Sequence, residues 1–165
     1  MLIKLLGWLA AAVVVSTALL LVAGRLGWLM ARAPEDLGVH DGKLKRPSST
    51  PNSVSSQATL WKDSDALVDY ATIAPLPLAG PPAAAIARLR AIVAAMPGAS
   101  VVTARDDYLY ATFTTRVLQF VDDVELYAAP AEGVVHVRSA SRVGRRDFGV
   151  NRARIEAIRA AYGAS

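Results

Sequence analysis

The chain has no cysteine, which excludes disulfides, thiolate metal sites and cysteine nucleophiles. Histidine is scarce as well. Of the two present, His40 falls in a proline- and serine-rich stretch, and only His136 lies among predicted strands. No G-x-S-x-G elbow accompanies it, so a Ser/His/Asp nucleophile has little to build on. P-loop and dinucleotide-binding glycine patterns are missing, and no nucleic-acid-binding module is recognisable, so nucleic acid is not an expected partner. Acidic residues are the minority, 14 against 18 lysines and arginines, for a net charge of +4. That weak excess leaves acidic partners open without selecting one.

Long apolar runs are confined to the N-terminus. Leu5 to Ala23 runs 19 residues without a charge, between Lys4 and Arg25. A membrane-crossing helix needs about 20 such residues, and Trp8 and Trp28 stand roughly 30 Å apart along a helix, which suits the two headgroup layers. A cleaved signal peptide would have an apolar core of only about 7–15 residues. Residues 1–30 are therefore expected to be an uncleaved, single-pass membrane anchor. The flanking charges, Lys4 before the span and Arg25 and Arg32 after it, lean slightly toward a cytoplasmic domain.

Residues 31–58 are rich in Pro, Ser, Gly and charge and have no sustained period, which predicts a linker. Residues 59–165 then form the domain. Pro81-Pro82 can open a helix, and Ile86, Leu89, Val93 and Met96 give it one apolar stripe, with Pro97-Gly98 as its end. Runs rich in β-branched and aromatic residues follow at Val101–Ala104, Tyr108–Thr115, Val121–Ala129 and Val134–Ser141. A last helix is predicted near Asn151, taken as its N-cap, with Ile155, Ile158 and Tyr162 on its buried side. The pattern predicts an α+β, two-layer sandwich: an antiparallel sheet of about four strands, two helices on one face, and the membrane helix in front.

Alternation along the strands sorts the charged residues. Asp122 shares a face with Val124, Leu126 and Ala128, whereas Asp123, Glu125 and Tyr127 point the other way. Val135 and Val137 face the core, and His136 and Arg138 lie opposite. A four-residue hairpin loop between these strands sets Glu125 against His136 or Arg138, and Asp123 against Arg138 or Ala140. Tyr108, Tyr110 and Thr112 join the same polar surface. Beyond it, Val137 to Glu156 packs six arginines into twenty residues where a strand gives way to a helix. Guanidinium groups together with the helix's first N–H groups make a candidate anion site for a phosphate, a carboxylate or a lipid headgroup. Its residues are Arg138, Arg142, Arg145, Arg146, Asn151 and Arg152. An enzyme using Asp123, Glu125 and His136 is the alternative, and a protein-docking sheet face is a third. The acids Asp122, Asp123 and Glu125 have arginines beside them, which a cation site would not welcome. Neither metal nor another cofactor is expected.

Three separated motifs, LGVHDGKLKRPSSTPNSVSSQA (Leu37 to Ala58), FVDDVEL (Phe120 to Leu126) and VRSASRVGRRDFGVNRARIEAIR (Val137 to Arg159), closely resemble the DUF1499 family, a domain of unknown function. The resemblance covers nearly everything after the membrane segment and implies a bacterial, membrane-anchored member of the cell envelope. It carries no established activity. Its matching positions include Asn52, Ser55, Ser56, Asp122, Asp123, Glu125 and Asp147, which with His136 are candidates for a polar network, and Asn52 is expected to hydrogen-bond the arginine turn. The family pattern has two cysteines where Arg46 and Ser53 stand here. Their joint replacement implies a disulfide in relatives, and with it a domain on the periplasmic side of the inner membrane, against the lean of the flanking charges.

Overall fold

The computed structural model describes residues 1–164. Helix α1, Leu2–Arg25, is 24 residues long, roughly 36 Å at ~1.5 Å per residue, and is long and apolar enough to cross a membrane. The domain follows in the order β1 (Ser53–Ser55), a 3-10 turn (Ala58–Trp61), α2 (Val68–Ala71), β2 (Leu76–Pro77), α3 (Pro82–Ala94), β3 (Ala99–Ala104), β4 (Tyr108–Thr114), β5 (Val121–Ala129), β6 (Val134–Ser141) and α4 (Val150–Gly163). The fold is α+β, with one antiparallel sheet in the order β1-β6-β5-β4-β3 and β2 also paired to β6. There are six strands rather than about four. The two extra ones, β1 and β2, are three and two residues long, too short to show a period of two.

The core lies on one face of the sheet. Val124, Leu126, Ala128, Val135 and Val137 meet Ile86, Leu89 and Val93 of α3 and Ile155, Ile158 and Tyr162 of α4. Pro81 and Pro82 open α3, where a missing N–H costs nothing. At its other end Gly98 has φ +78, and a Cβ there would sit 2.5 Å from the Thr114 carbonyl oxygen. Only glycine lets the turn into β3 pass this close to β4.

Strands β5 and β6 pair with Glu125 opposite Arg138 and Asp123 opposite Ala140, across the loop Pro130–Gly133. The opposite sheet face is not open. Leu37, Val39 and Leu44 pack on Tyr108, Tyr110 and Tyr127 there, and the side chain of Gln57 holds the Leu44 N–H at 2.8 Å and the Gly42 carbonyl at 2.8 Å. Residues 31–58, expected as a linker, thus lie against the domain and supply strand β1. Three apolar residues with no common period are enough to cover a patch of tyrosine rings, and that leaves no periodic trace in sequence.

Candidate functional site

The polar sheet face is a closed set of ion pairs. Glu125 is 0% exposed. It accepts hydrogen bonds from the Tyr108 hydroxyl at 2.8 Å, the Gly38 N–H at 2.8 Å and Arg138 Nη1 at 2.9 Å. Asp123 accepts the Tyr110 hydroxyl at 2.7 Å and is gripped by Arg142 through Nε, 3.0 Å from each oxygen, and Nη2, at 2.7 Å. Burial, reinforced by the bonded Asp123 carboxylate, pushes the Tyr110 phenol up to about 12. Burial and the neighbouring Glu125 raise Tyr108 further still. The bond to Asp123 is also the main reason the Arg142 guanidinium is held above its ordinary value. A buried carboxylate needs this many donors, because an unpaired one would be strongly disfavoured.

His136 does not join these acids. Its ring is hydrogen-bonded to Ser56 Oγ at 3.1 Å and Glu132 Oε2 at 3.2 Å, and it stacks on Tyr127. Ser56 Oγ also accepts the Val137 N–H at 2.9 Å, and Ser55 Oγ accepts the Gln57 N–H at 3.1 Å. Among the described residues no three His, Asp or Glu side chains converge as a metal-ligand set. Asp123, Glu125 and His136, which an enzyme reading needs as one constellation, thus have separate sets of partners.

On the helix side a second network fixes the strand-to-helix turn. Arg154 pairs with Asp122 at 2.6 Å and donates to Ser139 Oγ and Asn151 Oδ1. Asn151 in turn donates to Asp147, to Ser141 Oγ and to the Asn52 carbonyl. Asn52 Nδ2 donates to the Gly144 carbonyl at 2.7 Å, tying β1's approach to the arginine turn. Asn151 is not the N-cap of α4. Gly149, at φ 84, takes that place, and Asp147 caps the helix from outside by accepting the Gly149 and Asn151 N–H groups at 3.0 and 3.2 Å. Burial pushes the Asp147 carboxyl up, but bonds from Tyr70, Gly149 and Asn151 outweigh it and hold it below its ordinary value. The helix start therefore already carries an anion, the protein's own, which is what its dipole favours.

The predicted arginine cluster is accordingly divided. Arg138 and Arg142 turn to the polar sheet face, and Arg152 Nη2 donates to the carbonyls of Tyr70 and Thr72 at 2.6 and 3.0 Å. Arg145 and Arg146 are exposed and, among the described residues, make no ion pair or side-chain hydrogen bond. The six candidates do not converge on one site at the turn.

Two of them do converge elsewhere. A cleft of about 250 Å³ lies between β6 and residues 45–49, lined by Lys45, Arg46, Ser48, Ser49, Arg138 and Arg142, with Asp123 also on its wall. Arg138 is 4% exposed, and its Nε is buried with no hydrogen-bond partner. Lys45 pairs with Asp36 and Arg46 with Asp65, but these acids are 62% and 64% exposed, and such surface pairs contribute little. The bond from Lys45 holds the Asp36 carboxyl below its ordinary value. Lys45, Arg46, Ser48 and Ser49 were missed in the sequence, where the run KLKRPSS blends into a polar segment. The available signal was Arg46-Pro47, at one of the two positions where the resemblance implies a cysteine in relatives.

No curated protein and no solved structure is detectably similar to the chain. The family model for a protein of unknown function, DUF1499, matches residues 43–162, a span that includes the segment 45–49 lining the cleft and ends within α4. The chain belongs to the DUF1499 family.

Proposed function

We propose that the chain is a membrane-tethered, non-catalytic domain that holds a small anionic group, a phosphate or carboxylate or the headgroup that bears one, in the cleft between β6 and residues 45–49. The observation that carries this reading is Arg138: its guanidinium has a buried Nε with no hydrogen-bond partner, and the residue lines a cleft together with Lys45, Arg46 and Arg142. A buried N–H left unbonded is costly, and an anion's oxygen is the partner it suits best. The location differs from the arginine turn that the charge density points to, because Asp147 already serves the helix start. A non-catalytic role is supported by the acids of the sheet face, whose oxygens are all bonded.

Helix α1 supports a tether in the inner membrane. A domain on the periplasmic side is supported by the cysteine pair that the family resemblance implies at positions 46 and 53. Here the Ser53 hydroxyl accepts the Ser48 N–H at 2.8 Å, a hydrogen bond that spans part of the same stretch.

The test is calorimetric titration of inorganic phosphate into the detergent-solubilised full chain. Binding is expected to weaken with added salt and to fall at least ten-fold in the Lys45→Ala, Arg46→Ala double variant, with the fold intact. Salt-independent binding, or the same affinity in that variant, contradicts the site.

A further inference from the structure

The loops at one end of the sheet gather around the end of α1. Gly24, in the last turn of the helix, is buried against the β4–β5 loop, and a Cβ there would lie 3.0 Å from Leu118 backbone atoms. Leu21, Val22, Arg25 and Leu26 form a groove with Arg116 and Val117 of that loop. The β6–α4 loop lies beside it: one cleft is lined by Thr115 together with Phe148 and Val150, and another by Arg116 together with Val150. If α1 crosses a bilayer, the groove at residues 21–26 places these loops at its surface.

Their composition suits that position. Phe148 is 93% exposed and Val117 and Val150 are exposed too, three apolar side chains on two adjacent loops and the first residue of α4, where a water-facing end needs none. Phe148 has φ 53, a left-handed conformation uncommon for an aromatic residue. The Asp147 cap on the Gly149 and Asn151 N–H groups brackets its backbone. The exposed charges on these two loops are all positive: Arg116, Arg145 and Arg146. Their acids, Asp122 at the start of β5 and Asp147, are buried and bonded internally. Apolar side chains ringed by arginine fit a lipid surface that carries anionic headgroups.

We propose that this end of the domain rests on the bilayer, with Val117, Phe148 and Val150 in the headgroup layer and Arg116, Arg145 and Arg146 against anionic lipid phosphates. The domain is then docked on the membrane as well as tied to it, and its cleft is held at a set orientation to the lipid surface. This rests on the reading that α1 spans the membrane, and it is independent of anion binding in the cleft.

The absence of cysteine allows single nitroxide labels at Val14→Cys, Val117→Cys, Phe148→Cys and Glu132→Cys, the last at the opposite, β5–β6 turn. The full chain is reconstituted in phosphatidylcholine–phosphatidylglycerol vesicles, and each label's collision with oxygen is compared with its collision with a water-soluble nickel chelate. Oxygen is expected to dominate at 14, 117 and 148 and nickel at 132, with the contrast at 148 falling in an Arg145→Ala, Arg146→Ala background. Nickel dominance at both 117 and 148 with oxygen dominance at 14 overturns the docking and leaves the tether. Nickel dominance at 14 overturns both.

Discussion

Arg142 holds Asp123 by three hydrogen bonds of 2.7–3.0 Å and, through Nη1, the carbonyl of Ala31 at 2.9 Å. One guanidinium thus satisfies a buried carboxylate and pins the chain where it passes from α1 toward the sheet face. The covering segment carrying Leu37, Val39 and Leu44 continues from that point, so the same side chain orders the sheet face and one wall of the cleft.

Removing it should be costly. Arg142→Ala leaves Asp123, 2% exposed, without its cation, and is expected to destabilise the fold by roughly 3–5 kcal/mol in urea unfolding. Adding Asp123→Ala should recover part of that loss, since the second change removes the stranded charge. Additive losses in the double variant would show that the pair is not coupled.

The tyrosines on this face predict a pH dependence in the alkaline range. Tyr110 keeps its proton to about 12 in the folded chain against about 10 when unfolded. Between these values the folded state binds more protons, so the contribution is fully present below about pH 10 and is lost as pH rises toward 12. Absorbance titration of phenolate should show late ionisation, and Tyr110→Phe should flatten the fall of stability in that window. An ordinary titration of all five tyrosines would contradict the buried pairing.

Gly98→Ala tests the turn that seats α3 on the sheet. It combines a left-handed φ with a Cβ 2.5 Å from the Thr114 oxygen, and a loss of about 1–3 kcal/mol is expected from the strain. Gly80→Ala is the comparison. There φ is +79 with open space around the Cβ, so the smaller loss measures backbone conformation alone, and equal losses in thermal unfolding would rule out the steric contribution.

Neutralising the outer acids should sharpen the cleft. Asp36→Asn and Asp65→Asn release Lys45 and Arg46 from their exposed pairs, worth up to about 1 kcal/mol each. Phosphate affinity is expected to rise several-fold in the double variant with stability little changed. Unchanged or weaker binding would place the anion away from these two cations.

Much of the architecture was legible because it is periodic. Alternation separated Val124 and Leu126 from Asp123 and Glu125, and the loop before Gly133 narrowed the partner of Glu125 to His136 or Arg138, of which the structure has Arg138. The stripes Ile86, Leu89, Val93 and Ile155, Ile158, Tyr162 marked both core helices. What escaped has no period. Leu44 finds Tyr108 and Tyr110 at a sequence distance that no local pattern encodes. Asp147 caps α4 from before the helix, a role that Asn151 seemed better placed to fill. Arginine density located charge correctly but not its destination, because Arg138 and Arg154 lie in one dense run yet turn to opposite sheet faces.

The central claim is that Arg138 Nε waits for an anion's oxygen. The most direct measurement is the nitrogen-15 resonance of that Nε–H in the full chain in detergent, assigned by its loss in Arg138→Lys and followed through a phosphate titration. A saturable shift with slowed solvent exchange is predicted, absent when Lys45 and Arg46 are both alanine. A resonance that stays unmoved while phosphate binds, or no binding at all, would contradict the account.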